Sequence, residues 1–336
     1  MHSNLRPLTL GEILDRTAEL YRSNFLLLAG ISSVYSGLLL VLSLIQIGAQ
    51  RAFSGMPVNA YLIAGAVVGI LLILLLSLVS GGVAVAANTR AVGWLHLGEP
   101  ATIRTAYRAI LPRAGNFVWL ITIIYFLAWF PCFLVYAAYA VLLFYYVHTK
   151  GLLTPHAAHA MDQTSALILV GASAVFFLLL LVFGVYGIMM SLRYSLAVPA
   201  SAVENLRPRA AIRRSVQLSK GSRGRIFMLG LLTLIIQLGL TGITQGVFIV
   251  LELQHKKALP LWMSVLQQVL AFLTNTLVGP IYATGFTLFY YDQRVRKEGF
   301  DIEHLMQAAG MELPPASEIP ASVESMAPAG TGSAHE

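Results

Sequence analysis

The 336 residues are 57% apolar and only 11% charged, against about 25% charged in a typical soluble domain. That balance excludes an ordinary soluble enzyme. It also excludes a disordered chain, which stays unfolded for want of apolar surface to bury. The formal charge of +7, from 22 Lys and Arg against 15 Asp and Glu, would raise nucleic acid as a partner in a soluble protein. Here the basic residues flank apolar runs, so no nucleic-acid partner is expected.

In chain order, residues 1–24 hold the first predicted element. Thr9-Leu10-Gly11-Glu12 has the form of a capping box, in which hydroxyl and carboxylate satisfy free N–H groups at a helix start. Leu10, Ile13, Leu14, Leu20 and Tyr21 follow at helical spacing, with charged residues elsewhere around the helix. This predicts an amphipathic helix on the cytoplasmic interface. The first apolar run opens at Phe25 and is too long for the core of a signal peptide, so it is expected to persist as a span.

Six runs are long enough to cross a hydrocarbon core of about 30 Å, at about 25–47, 62–87, 117–147, 166–192, 226–251 and 261–291. The third would be about 46 Å long as one helix, which suggests a tilted span kinked near Pro131. The lone cysteine, Cys132, lies in that run and reads as a packing residue. The expected fold is all-α, with a six-helix transmembrane domain over 25–297. An acidic tail over 298–336 is expected to be mostly disordered after a short helix at 301–311.

Orientation follows from the basic residues between spans. Eighteen of the 22 Lys and Arg fall on the side that carries both termini, and Arg51, Lys150, Lys256 and Lys257 fall on the other. The predicted location is the cytoplasmic (inner) membrane, multi-pass, with both termini inside.

The layout of a short helix before a hairpin returns twice, at 100–112 and 208–218, with Pro100 and Pro208 suited to a helix's first turn. Polar turns and aromatic residues follow, as in Arg22-Ser23-Asn24-Phe25 and Arg113-Ala114-Gly115-Asn116-Phe117. Three copies of one unit would explain this, as would basic helices placed before spans for topology alone.

The opening from Arg6 to Arg16 resembles the start of bacterial polytopic proteins related to the membrane domain of glycerophosphoryl diester phosphodiesterase. The stretches Leu192-Arg193-Tyr194-Ser195-Leu196-Ala197-Val198-Pro199 through Arg214-Ser215, and Leu288-Phe289-Tyr290-Tyr291-Asp292 through Asp301, resemble the same family. In that family the resemblance implies that catalysis belongs to a separate soluble barrel with a His-Arg-Gly stretch and a Glu-x-Asp pair. Neither motif occurs in these residues, so phosphodiesterase activity is not carried over.

Ionisable groups inside a bilayer usually mark ion or proton paths, and the centres of all six runs lack them. Gln237, Gln245, Gln267, Gln268 and Thr274-Asn275-Thr276 remain, and are read as hydrogen bonds between helices. Gly279-Pro280 should bend or break the sixth span. A kink is the preferred reading, while a break would make Asn275, Gly279 and Pro280 a transport path. His156 and His159 share a possible helix face with His148 and Asp162 nearby, yet nothing else there resembles a metal site, and no metal, cofactor or catalytic group is expected.

The most distinctive polar feature is a cytoplasmic cluster. Arg193, Glu204, Arg213, Arg214, Lys220, Arg223 and Arg225 face Asp292, Arg294, Arg296 and Lys297, and basic residues near a span attract anionic head groups. Glu204 and Asp292 are expected to pair with arginines across the bundle mouth. The leading function is a non-enzymatic membrane protein that binds anionic lipid and supports a membrane partner. The alternatives are a permease or lipid transporter, and a lipid head-group enzyme using Glu204 or Asp292 as base.

Overall fold

The computed structural model describes residues 6–53, 60–149, 163–255 and 260–300, together with Met306. The described residues form helices and turns without a strand. The order is α1 (Leu10–Ser23), α2 (Phe25–Phe53), α3 (Ala60–His96), α4 (Ile103–Ile110), α5 (Ala114–Thr149), α6 (Gln163–Tyr194), α7 (Ala197–Glu204), α8 (Pro208–Ser219), α9 (Arg223–His255) and α10 (Leu261–Glu298). Six of them, α2, α3, α5, α6, α9 and α10, are long and apolar enough to cross a membrane. The chain is a multi-pass helical membrane protein. The tail and its expected helix at 301–311 lie outside the described residues apart from Met306, as do His156, His159 and Asp162.

The long helices outrun the apolar runs that predict them. An apolar run measures bilayer thickness, whereas the backbone ladder continues into water as long as nothing breaks it. Thus α3 carries Arg90 within its last turns and α10 continues to Glu298. Pro131 and Pro280 both sit inside continuous helices, so the sixth span is not broken.

Burial is lopsided. Leu28 and Ile31 of α2, Val83, Ala84, Ala86, Ala87, Ala91 and Val92 of α3, Phe117 and Leu120 of α5, and every residue from 283 to 293 of α10 are buried. The opposite halves of the long helices expose Leu71, Leu75, Phe144, Phe177, Leu181 and Leu253 among many others. In water so large an apolar surface would aggregate; a bilayer covers it.

The buried end is built by the short helices. The capping box expected at α1 is present: the Glu12 N–H donates to the Thr9 hydroxyl at 3.3 Å and the Thr9 N–H donates to the Glu12 carboxylate at 2.7 Å. Ile13, Thr17 and Leu20 then point one face of α1 inward, where Ile13 and Leu20 join Leu229, Phe286 and Phe289 in one core cluster. Pro208 opens α8 as expected. Pro100, by contrast, lies outside α4: Thr102 caps that helix, its hydroxyl accepting from the Thr105 N–H at 3.1 Å, so the helix starts only at Ile103.

The element order of short helix and hairpin occurs three times, except that α7 precedes α8 without a counterpart elsewhere. Its Ala, Pro and Ser residues at 197 and 199–202 are buried. Arg90 donates to the carbonyls of Ala202 and Val203 at 3.0 and 3.1 Å, and Arg113 to that of Asn205 at 3.2 Å. The free carbonyls at the end of α7 are thereby satisfied by arginines of two other elements. Asn205 turns the chain in the left-handed region at φ 56°, which asparagine tolerates better than most side chains.

Candidate functional site

The ends of α7, α8 and α10 meet in a charged rim. Along α10, Tyr290, Arg294 and Glu298 recur every four residues and so share a face; Asp292 and Arg296 share another. The first face meets α7 and α8. Arg214 donates to both oxygens of Glu204 at 2.9 to 3.1 Å and to Glu298 at 2.6 Å. The Tyr290 hydroxyl also donates to Glu204, and Arg294 lies 3.8 Å from the same carboxylate. Burial works against the Arg214 charge, but its hydrogen bonds to Glu298 and Glu204 outweigh it and raise the guanidinium's pKa above its ordinary value.

The second face clamps the N-terminal segment. The Asp292 side chain is fully buried, yet it accepts from the Leu8 N–H at 2.8 Å and from Arg296 at 3.0 Å, with Arg225 at 3.2 Å. The Leu8 carbonyl in turn accepts from Arg225 at 2.8 Å and Arg296 at 2.6 Å. Gln293 donates to Asp292 and accepts from Ser222 at 2.6 Å. Lys297 donates to the carbonyls of Gln217, Leu218 and Lys220 at 2.7 to 3.0 Å, closing the end of α8. The carboxylates at 204 and 292 therefore pair with arginines, as the sequence predicts.

The eight residues singled out at the rim divide into two groups. Glu204, Arg214, Asp292, Arg294 and Arg296 are engaged in this internal lock, and Arg193 is half-buried, its carbonyl accepting from Ser215 and Ser219. Arg213 and Lys220 are exposed instead, and with Arg207 and Arg209 their cationic groups have no partner among the described residues. Arg207, Arg209 and Arg213 line an open basin of about 600 Å³ that Glu204 and Arg214 floor. Arg225, expected in the cluster, joins the lock, whereas Tyr290, Glu298 and Leu8 are members that the charge pattern did not single out. The repeat of four linking Tyr290, Arg294 and Glu298 is the signal that would have found two of them.

The transport candidates separate as well. Asn275 and Gly279 line a cavity between the long helices, while Pro280 is buried within unbroken α10. Part of the polar set bonds between helices: Thr244 meets Thr274 at 3.3 Å, and Gln245 donates to the Gln267 carbonyl at 3.4 Å. Gln237 stays within its own helix, donating to Thr241.

Much of the lock, with α6 to α10, falls in one stretch of sequence. Residues 167–323 match the family model of the membrane domain of glycerophosphoryl diester phosphodiesterase. Two of the three resembling patches, around Arg193 and around Asp292, lie inside that stretch of the membrane-domain family; the opening patch, whose Leu8 the lock grips, lies before it. No curated protein and no solved structure matches the chain.

Proposed function

We propose that the protein is a non-enzymatic component of the cytoplasmic membrane, with both termini inside, that holds anionic lipid head groups on the outer face of α8 and supports a membrane partner there. The single observation that carries this reading is the division of charge at the rim. Apart from Arg193, whose Nε is buried without a hydrogen-bond partner, the inward cations are matched to carboxylates and carbonyls, while Arg207, Arg209 and Arg213 stand together, exposed and unmatched among the described residues, around one basin. Guanidinium groups suit phosphate oxygens because their planar fork presents paired donors. The excess of basic residues on the terminal side supports the orientation. A head-group enzyme would need Glu204 or Asp292 as its base, and both oxygens of each are engaged by arginines.

Each basic residue near an anionic surface contributes about 1 kcal/mol, so three give about 3 kcal/mol, roughly a hundredfold in lipid affinity. The test is native mass spectrometry of protein taken from nanodiscs of phosphatidylcholine with phosphatidylglycerol. Wild type is expected to retain phosphatidylglycerol and Arg207→Gln/Arg209→Gln/Arg213→Gln to lose it. The three substitutions leave Arg214 and its carboxylates in place. Equal retention by a folded triple variant would overturn the reading.

A further inference from the structure

Beneath the rim, α2, α3, α5, α9 and α10 enclose a cavity of about 280 Å³. Its polar lining includes Ser32, Tyr35, Asn88, Tyr125, Gln237 and Asn275, with no charged residue. Asn88 is the informative member. It is 2% exposed, and its amide nitrogen donates to the Ser32 hydroxyl at 3.0 Å and to the Ala84 carbonyl at 3.2 Å. The Ala84 carbonyl only accepts, which fixes the orientation of the amide. The Asn88 Oδ1 atom is left as a buried acceptor without a hydrogen-bond partner. Buried polar atoms are nearly always satisfied, so this atom calls for a donor.

The cavity's surroundings say where that donor comes from. Toward the rim, Ala87, Ala91, Val92, Ala202 and Phe117 are buried in one cluster, an apolar plug between Asn88 and the cytoplasmic end. In the other direction the lining continues along α3 to Ser77, about 16 Å deeper at 1.5 Å per residue. Laterally, Tyr125 of α5 is 59% exposed and Gly279 of α10 is exposed, and no substantial packing joins α5 to α9. The opening therefore faces the region that lipid chains occupy. An anionic group is a poor occupant, because a buried charge without a counter-charge is strongly disfavoured. A hydroxyl both donates to Asn88 and accepts from the remaining lining groups.

We infer that this cleft binds the neutral, hydroxyl-bearing head of an acylglycerol-type lipid, with the hydroxyl donating to Asn88 Oδ1 and the chains leaving between α5 and α9. The site is separate from the basic rim and does not rest on lipid binding there. Gly81 preserves its wall, since a Cβ at that position would stand 3.2 Å from the Tyr35 ring.

The test uses the full chain in phosphatidylcholine nanodiscs with a diacylglycerol carrying a photoactivatable diazirine in one chain, and labelled peptides are mapped by mass spectrometry. Labelling is expected to concentrate on α5, α9 and α10 beside the cavity. Excess dioleoylglycerol is expected to reduce it at least tenfold and phosphatidylglycerol to leave it unchanged. Asn88→Leu, similar in size and without the acceptor, is expected to show the same loss. Because that variant also forfeits the Ser32 contact and its folding is at stake, the competition in wild type decides independently. Labels spread over the outer faces of α5 and α6 without competition, equal competition by phosphatidylglycerol, or full labelling of a folded Asn88→Leu protein would each overturn the inference and leave the cavity to water.

Discussion

Replacing Glu204 with Gln removes the charge where α7, α8 and α10 meet while keeping the shape of the side chain. The carboxylate accepts three hydrogen bonds from Arg214 at 2.9 to 3.1 Å and one from Tyr290. Side-chain exposure of the Arg214–Glu204 pair is 23% and 19%, between two regimes. A solvent-exposed pair contributes about 0–1 kcal/mol, whereas removing one member of a fully buried pair costs about 3–5 kcal/mol. Arg214 keeps Glu298 as a partner, which softens the loss, so Glu204→Gln should cost about 2 kcal/mol. Thermal unfolding in mild detergent, followed by tryptophan fluorescence, should then show a Tm lower by about 4–8 °C. Arg213→Gln, one residue along α8 but exposed and unpaired among the described residues, should stay within about 0.5 kcal/mol of wild type. An unchanged Tm for Glu204→Gln, or an equal fall for Arg213→Gln, would refute the division between lock and open face.

Asp292→Asn should be more damaging, by over about 3 kcal/mol, because that side chain is fully buried and the Leu8 N–H, Arg225, Arg296 and Gln293 converge on it; limited trypsin digestion should show faster cleavage after Arg16 as α1 loosens. Thr9→Ala removes the α1 cap and should cost about 1 kcal/mol, read as faster amide exchange in the first turn of that helix. Gly187→Ala would place a methyl 2.9 Å from the Ala128 carbonyl and 3.2 Å from the Trp129 ring, an overpacking cost of about 1–3 kcal/mol visible in Tm. Gly184→Ala, with open space around it, should be neutral in the same assay.

Hydrophobic runs told the number and order of the spans because bilayer thickness imposes a length that composition alone can meet, and all six appear as long apolar helices. The cap of α1 was legible for a similar reason, a local motif with a local partner. Helix α7 was not. Ala-Val-Pro-Ala-Ser-Ala-Val-Glu has no polar face, being buried nearly all round, so it lacks the amphipathic period that betrays a surface helix. Its readable signs were Pro199 in the first turn and Asn205 just beyond the end. Pro100 misled because a proline suits a first turn without compelling one, and Thr102 offered the better cap. At the rim, two carboxylates among so many basic residues foretold that Glu204 and Asp292 would be paired, but not which arginines would be consumed and which left outside. That choice depends on how α8 rotates against α10. The Asn88 acceptor was invisible for the same reason, since its missing partner is a property of five helices together.

The grip of Asp292 on the Leu8 backbone joins residues 284 positions apart. During synthesis the first helices must therefore wait for the last one. At about 5–20 residues per second, the interval between them is roughly 15 s to a minute, during which Leu8 lacks its native partners and the apolar face of α1 has no α10 to meet. The membrane surface is the natural place for that face to rest meanwhile, so the same helix that ends as part of the core would begin as an anchor. Maturation of this protein then has a definite last step, the transfer of its N-terminal helix from lipid to protein once the sixth long helix has emerged.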